Sequence, residues 1–418
     1  MRKIPFGGVA AYLYGPLVDF YVRHPPVMNT GPRWVAVTLR KSLETRIRQG
    51  HPWVFRDALA DPPRLADGTL VLVRARDRRP LAIGYWDATS PIAVRVLSTD
   101  RQRAPGDLVA ERLEQALALR RGRLDTARTN AFRWVHGEAD RLPGLHLDLY
   151  GDVAAVRFDG AGPRAFYRQL PELLTAAARP LRLRAAIDRE TRQPLPGGGS
   201  GAASDQEVLE NGLKFGVDLQ HGQKGGLFLD QRENRAEVGR LSVDKSVLNL
   251  FGYTGGFSVY AAAGGARRTD TVDLARPAIE AARANFERNR LDTNAAGFHA
   301  TDAFEFLTAA ARRGDRWDIV ISDPPSFAPR ASALPAARKA YRRLHQLAVS
   351  VTADGGLFCP ASCSSHFPRA EFLDSIRDGL VAAGRRFKLE SLQGAGFDHP
   401  TVSWFPEGDY LKFAICRV

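Results

Sequence analysis

Three patterns of apolar spacing divide the chain. Between Trp34 and Ser98, short alternating runs at Val35 to Leu39, Leu70 to Ala75 and Ile92 to Leu97 are separated by turn signals such as Asp67-Gly68 and Asp77-Arg78. Alternation of period two with tight turns predicts half-buried strands in a small β-rich fold. From Leu108 to Arg123 the period changes. Leu113, Ala116 and Leu117 recur at helical spacing, and an Arg-rich end suits the negative pole of a helix. Strand patterns at Arg133 to Val135, Gly144 to Leu149 and Val153 to Phe158, followed by a helical one over Arg164 to Ala178, predict a small α+β unit. It closes in Leu195-Pro196-Gly197-Gly198-Gly199-Ser200-Gly201, too rich in glycine for regular structure. Beyond Gly222 a strand, glycine turn, helix, strand order repeats, which predicts an open parallel α/β sheet with helices on both faces. The expected organisation is an extension over 1–33, a β-rich domain over 34–107, a central α+β domain over 108–220 and a doubly wound domain over 221–418.

Candidate chemistry gathers in the last block. The apolar strand Val247 to Phe251 runs into Gly252-Tyr253-Thr254-Gly255-Gly256, and helical spacing resumes at Phe257. Ligands of doubly wound sheets bind at such carboxyl strand ends, where glycine admits close approach and the next helix offers free N–H groups. The spacing departs from the Gly-x-Gly-x-x-Gly of a pyrophosphate site. About twenty residues on, Asp273 ends a second strand, where a carboxylate can accept both ribose hydroxyls; Asp302 follows a third and could accept from an adenine amine. Either aspartate alone reads first as a surface cap, but their order at successive strand ends reverses that and fits an adenosine-type ligand. The strand Trp317 to Ser322 then meets Asp323-Pro324-Pro325-Ser326-Phe327. Two prolines stop the strand and remove two donors, leaving carbonyls and Asp323 to receive a flat group with donor edges, such as a nucleobase amine.

Charge adds a partner. The net charge of +13 suits a polyanion, and residues 1–110 hold 17 Lys plus Arg against nine Asp plus Glu. A coding bias toward Arg and Ala offers a second explanation of the same charge. Arg46-Ile47-Arg48-Gln49-Gly50-His51-Pro52-Trp53-Val54-Phe55 mixes cations able to meet phosphate with aromatics that either stack or serve as core. No run of eighteen apolar residues predicts a membrane span, and Gly15, Pro16 and Asp19 break the early apolar stretch, so no signal peptide is expected. Three cysteines, Cys359, Cys363 and Cys416, argue against a disulfide scaffold and for a reducing, cytoplasmic location. With His366 alone nearby they form no four-ligand zinc set, and no metal is expected.

These stretches resemble class I S-adenosylmethionine-dependent methyltransferases, and more closely the bacterial large-subunit ribosomal RNA cytosine-5 methyltransferase family. The resemblance is carried by residues 222–235 (Gly-Gln-Lys-Gly-Gly-Leu-Phe-Leu-Asp-Gln-Arg-Glu-Asn-Arg), Leu248 to Ser258, Asp323 to Phe327, Ser362-Cys363-Ser364, Asp398-His399-Pro400 and Glu407 to Lys412. It extends forward through Gly137 to Leu145 and Gly50 to Phe55. It implies a Rossmann-like methyltransferase domain behind a PUA-like, RNA-binding β-barrel, with S-adenosyl-L-methionine as cofactor and large-subunit ribosomal RNA as partner; a homodimer stays open. Residue by residue it implies that Phe251, Gly252, Tyr253, Thr254, Gly255 and Gly256 line the methionine end of the cofactor, that Asp273 holds the ribose and Asp302 meets the adenine, and that Asn249 belongs to the same cofactor site. Lys224 and Arg232 would contact the cofactor or close its pocket, and Asp323 would grip the target base beside Pro324, Pro325 and Phe327. The sequence departs from the family at Gly225, where threonine is common, and at Gly252, where cysteine is frequent.

Cys363 matches the family's nucleophile. Carbon 5 of cytosine is a poor nucleophile, and a thiolate added to carbon 6 makes it enamine-like. Cys359, inside an apolar run, reads as packing, the ordinary fate of a free cysteine. Two other functions stay open: methylation of a guanine or adenine nitrogen with Cys363 inert, and an RNA-binding assembly factor whose methyltransferase fold has lost catalysis.

Overall fold

The computed structural model describes residues 34–177, 181–195, 206–220, 226–328 and 330–418. The 1–33 extension, the glycine-rich stretch 196–201, Lys224 and Gly225 lie outside these residues. Trp34–Val418 is one compact unit. No helix among the described residues is long and apolar enough to cross a membrane.

The first block contains strands β1 (Val35–Leu39), β2 (Trp53–Phe55), β3 (Leu59–Ala60), β4 (Leu70–Arg74), β5 (Pro80–Trp86) and β6 (Ile92–Ser98), with helix α1 (Glu44–Arg48) between β1 and β2. They form one sheet in the order β2-β6-β5-β4-β1-β3. Val37, Val54, Val71, Val73, Ala82 and Val94 fill its core, as alternation predicts for a sheet wrapped around its apolar face.

Helix α2 (Pro105–Arg121) begins the second block, with Leu113 and Leu117 buried. Strands β7 (Ala131–His136), β8 (Leu145–Tyr150), β9 (Val153–Phe158) and β10 (Ala185–Asp188) pair in chain order. The single helix expected over Arg164 to Ala178 is two short ones, α3 (Ala161–Phe166) and α4 (Leu170–Ala177). The break falls at Tyr167, which is buried between Tyr85 and Phe158 and donates its hydroxyl to Pro143 O. Tertiary packing thus overrides the helical period. The structure adds a hairpin that the apolar spacing does not announce, β11 (Gln206–Glu210) and β12 (Leu213–Val217). Its Val208 and Phe215 pack with Tyr150 and Ile187 of the second block and with Val259, Tyr260 and Phe286 of the third.

The third block follows the expected order. Helix α5 (Arg232–Leu241) precedes β13 (Ser246–Leu250), α6 (Gly256–Ala263), β14 (Arg268–Asp273), α7 (Arg276–Arg288), β15 (Ala296–Ala300), α8 (Ala303–Arg313) and β16 (Trp317–Ser322). Then come α9 (Leu334–Ser350), β17 (Thr352–Ser362), α10 (Arg369–Ala382), β18 (Lys388–Gln393) and β19 (Lys412–Arg417). The sheet order is β15-β14-β13-β16-β17-β19-β18, parallel except for β19, which lies antiparallel to both β17 and β18. The order reverses between β13 and β16. In doubly wound sheets such a reversal makes a crevice, because the helices after the two strands leave in opposite directions.

Candidate active site

The loops after β13 and β16 flank this crevice. After β13 the chain turns so tightly that Phe251 and Tyr253 take left-handed backbone angles, φ 57° and 49°. Bulky side chains adopt that region at a cost of about 1–3 kcal/mol each, and such strain persists where the surroundings fix it. Here Gly252 N donates to Val272 O and Tyr253 N to Asp273 Oδ2, each at 2.9 Å. Asp273, half-buried, also accepts from Ala275 N through Oδ1. Gly255, at φ 78°, closes the turn and lies so near α7 that a Cβ there would sit 2.8 Å from Ala282 Cβ. At Gly252 a Cβ would lie 2.6 Å from Thr271 Cγ2. The cysteine expected there from the family therefore has no room while Thr271 fills the space.

Asn249 lies beneath this turn rather than on its open side. It is 1% exposed and its amide donates to Ser258 Oγ, which also accepts from Thr271 Oγ1. The structure thus spends Asn249 on bracing the turn from below. Gly226 is tied to the turn from the other side: its N–H donates to Tyr253 Oη, and its carbonyl accepts from Thr254 Oγ1 at 2.6 Å. Asp302 is the N-cap of α8, its Oδ1 accepting from Phe304 N and Glu305 N.

Arg232, expected to contact the cofactor or close its pocket, is turned into a buried ion pair. Its side chain is 2% exposed and its guanidinium is paired with both oxygens of Asp398 at 3.0 Å and with Glu233 at 2.7 Å. Asp398 is the centre of a buried network: it also accepts from Arg133 N in β7 and from His399, while its carbonyl accepts from Arg120 of α2. Burial alone would raise its pKa, but His399 and Arg232 outweigh that and hold the carboxyl well below the usual range. Arg232 therefore locks α5 to the second block. The residue before it does reach the site. Gln231 donates from Nε2 to Asp323 Oδ2 at 2.9 Å, and its Oε1 accepts from Asn234. Nothing in the local pattern marked Gln231, since it becomes functional through a contact 92 residues away.

On the β16 side, Asp323 and Cys363 leave neighbouring parallel strands, paired at Ser322 and Pro360. Their loops are joined: Ser326 Oγ and Ser364 Oγ lie 2.7 Å apart, and Ala328 N donates to Ser364 Oγ. Pro324 is buried, Pro325 is exposed, and the Phe327 ring lies 4.9 Å from Tyr341. Tyr341 donates its hydroxyl to Ser362 Oγ at 2.8 Å. Its phenol is raised first by burial and further by the charges of Cys363 and Asp323, and its hydroxyl bonds to the residue just before Cys363. Cys363 is half-buried, whereas Cys359 and Cys416 are fully buried with their thiols pushed up by burial.

The family model of S-adenosylmethionine-dependent methyltransferases matches residues 198–365, and that of the PUA-like domain matches 37–99. The chain is 34% identical over 390 residues to ribosomal RNA large subunit methyltransferase I of Alteromonas mediterranea, covering 91% of this chain and 98% of that one. This chain belongs to that methyltransferase family. It is also 36% identical to a ribosomal RNA large subunit methyltransferase of Deinococcus radiodurans, over 92% of this chain and 97% of the relative. A solved protein described as a methyltransferase complexed with SAH superposes with a TM-score of 0.79 at 25% identity, over 92% of this chain and 99% of that one. The family's cofactor, S-adenosylmethionine, fits the β13 side. The strained turn brings main chain to the end of β13, and Asp273 stands half-buried at the end of β14 with its carboxylate held by Tyr253 N and Ala275 N.

Proposed function

We propose that the chain methylates carbon 5 of a cytosine in large-subunit ribosomal RNA, with Cys363 as the attacking nucleophile. The observation that carries this reading is the half-buried Cys363 at the end of β17, in the same neighbourhood as Asp323 and Tyr341 and across the sheet reversal from the glycine turn. When bound, S-adenosylmethionine supplies an electrophilic methyl group. On this reading the turn Phe251 to Gly256 lies along its methionine end, Asp273 accepts from its ribose hydroxyls, and Asp302 stands near its adenine.

Asp323, held by Gln231, accepts from the cytosine amine, and Pro325 and Phe327 bound the base. The Cys363 thiolate adds to carbon 6, the C5=C6 electron pair moves into the ring, and carbon 5 gains the electron density that takes the methyl group. The carbon-5 proton then passes to a basic group or to water, the S–C6 bond breaks, and the thiolate and the C5=C6 bond are restored. The PUA-like sheet with Arg46 and Arg48 on or beside α1 is the RNA-holding surface in this account, and the cytoplasm is its compartment. Ribosomal RNA incubated with the protein and S-adenosylmethionine and digested to nucleosides should yield 5-methylcytidine by mass spectrometry. Methylguanosine or N-methyladenosine in its place would transfer the reading to a nitrogen target. Absence of any methylated product, with the cofactor bound, would favour the assembly-factor reading.

A further inference from the structure

Lys412 opens β19 directly opposite Ser362, the last residue of β17 and the neighbour of Cys363. Its side chain is 1% exposed. A lysine ammonium is rarely buried without a reason, because leaving water costs it several kcal/mol. Nζ donates to Ser364 O at 2.7 Å and to Tyr410 O at 2.8 Å. Two of its three protons thus fasten the residue that follows Cys363 to the chain entering β19. Burial brings the amine down to about 8, with Asp409 and Cys363 acting in the opposite direction, so Lys412 and Cys363 sense one another's charge.

Among the described residues, three other charged or titratable groups and one ion pair near this turn do not take the place of Lys412. Asp323 after β16 would oppose a second negative charge, and Tyr341 on α9 is a phenol that burial keeps protonated and that donates its hydroxyl to Ser362 Oγ. Arg369 of α10 is paired through two bonds of 2.9 Å with Asp409. His366, three residues beyond Cys363, is exposed to water.

We propose that Lys412 is the positioning residue for Cys363: it fixes the Ser362–Ser364 turn through two carbonyls, and its ammonium stabilises the thiolate that adds to carbon 6. The inference rests on the nucleophile reading above and deepens it. A thiol beside a lysine ionises more easily, and the proton goes to solvent before the base arrives. Desolvation of the pair by bound RNA strengthens the effect.

Iodoacetamide labelling of the full chain, followed at Cys363 by peptide mass spectrometry as a function of pH, reads the thiol directly, because Cys359 and Cys416 are buried. The wild type should show a midpoint below the ordinary thiol value of about 8.5. In Lys412→Met the midpoint should rise by about one unit or more, an effect of about tenfold in thiolate at neutral pH. Lys412→Arg should stay near the wild type. The rate of adduct formation with 5-fluorocytidine RNA should fall in Lys412→Met, recover at higher pH, and leave S-adenosylmethionine affinity unchanged. A wild-type midpoint at or above about 8.5 overturns the proposal even if Lys412→Met does not fold, as does an unshifted midpoint in folded Lys412→Met. A lowered wild-type midpoint with no adduct leaves the Lys412 pairing standing and removes the nucleophile reading instead.

Discussion

On the β13 side of the crevice the site is made by main chain: a left-handed turn, a few N–H groups and one carboxylate, all within 25 residues of sequence. On the β16 side it is made by side chains brought from far apart, with Gln231, Asp323, Tyr341, Cys363, Ser364 and Lys412 meeting through hydrogen bonds and charge. A backbone site tolerates variation in side chains so long as the turn is kept, whereas a side-chain site fails when a distant brace is removed. The two sides should therefore respond differently to the same kind of damage.

The largest expected effect is on the brace. Replacing Asp398 by Ala leaves Arg232 with one partner and Arg133 N without its acceptor, in a buried setting where breaking such a pair costs about 3–5 kcal/mol. Thermal unfolding should show the loss. Where the variant still folds, adduct formation at Cys363 should suffer more than S-adenosylmethionine binding; equal losses would erase the contrast between the two sides.

Next comes acid. His345 on α9 is buried among Tyr341, Phe358 and Phe372, and burial lowers it to about 4, the Ser375 backbone working the other way. The unfolded chain takes up this proton near 6.5, while the fold resists it until about 4. Its contribution to stability is therefore complete above about pH 6.5 and is lost as the pH falls toward 4, by up to about 3 kcal/mol. Urea titrations across that range should show a slope that His345→Leu flattens, and an unchanged slope would remove His345 as its source.

On the backbone side, Asp273→Ala removes the acceptor of Tyr253 N together with the expected ribose partner. Calorimetry should show S-adenosylmethionine binding weakened by about tenfold to a hundredfold, with the Cys363 labelling curve unmoved. The smallest effect tests the turn itself. Gly252→Cys should cost about 1–3 kcal/mol through its clashes with Thr271 Cγ2 and Asn249 Nδ2, and Thr271→Ser, which deletes Cγ2 and keeps the hydroxyl to Ser258, should recover part of it. No recovery in the double variant would mean that Thr271 is not the obstacle.

The same contrast explains what could be read in advance. The parallel sheet, the glycine turn and the strand-end aspartates follow from local period and spacing, and β16 lies where the apolar run Trp317 to Ser322 places it. The two helices in place of one at Tyr167 were not legible, because an aromatic contact from another strand decides the break. The resemblance implies a cofactor or pocket role for Arg232, and its pairing with Asp398, 166 residues away, is not legible from either segment alone. Gln231 and Lys412 gave no signal as single residues. A buried lysine is visible only when the register of β17 and β19 is known.

The central claim is that Cys363 bonds to a cytosine. RNA carrying 5-fluorocytidine cannot release the carbon-5 substituent as a proton, so the S–C6 bond should persist after methyl transfer. Wild-type protein incubated with this RNA and S-adenosylmethionine should give a complex that survives denaturing electrophoresis, and Cys363→Ala should give none. A complex of undiminished yield in Cys363→Ala would contradict the account.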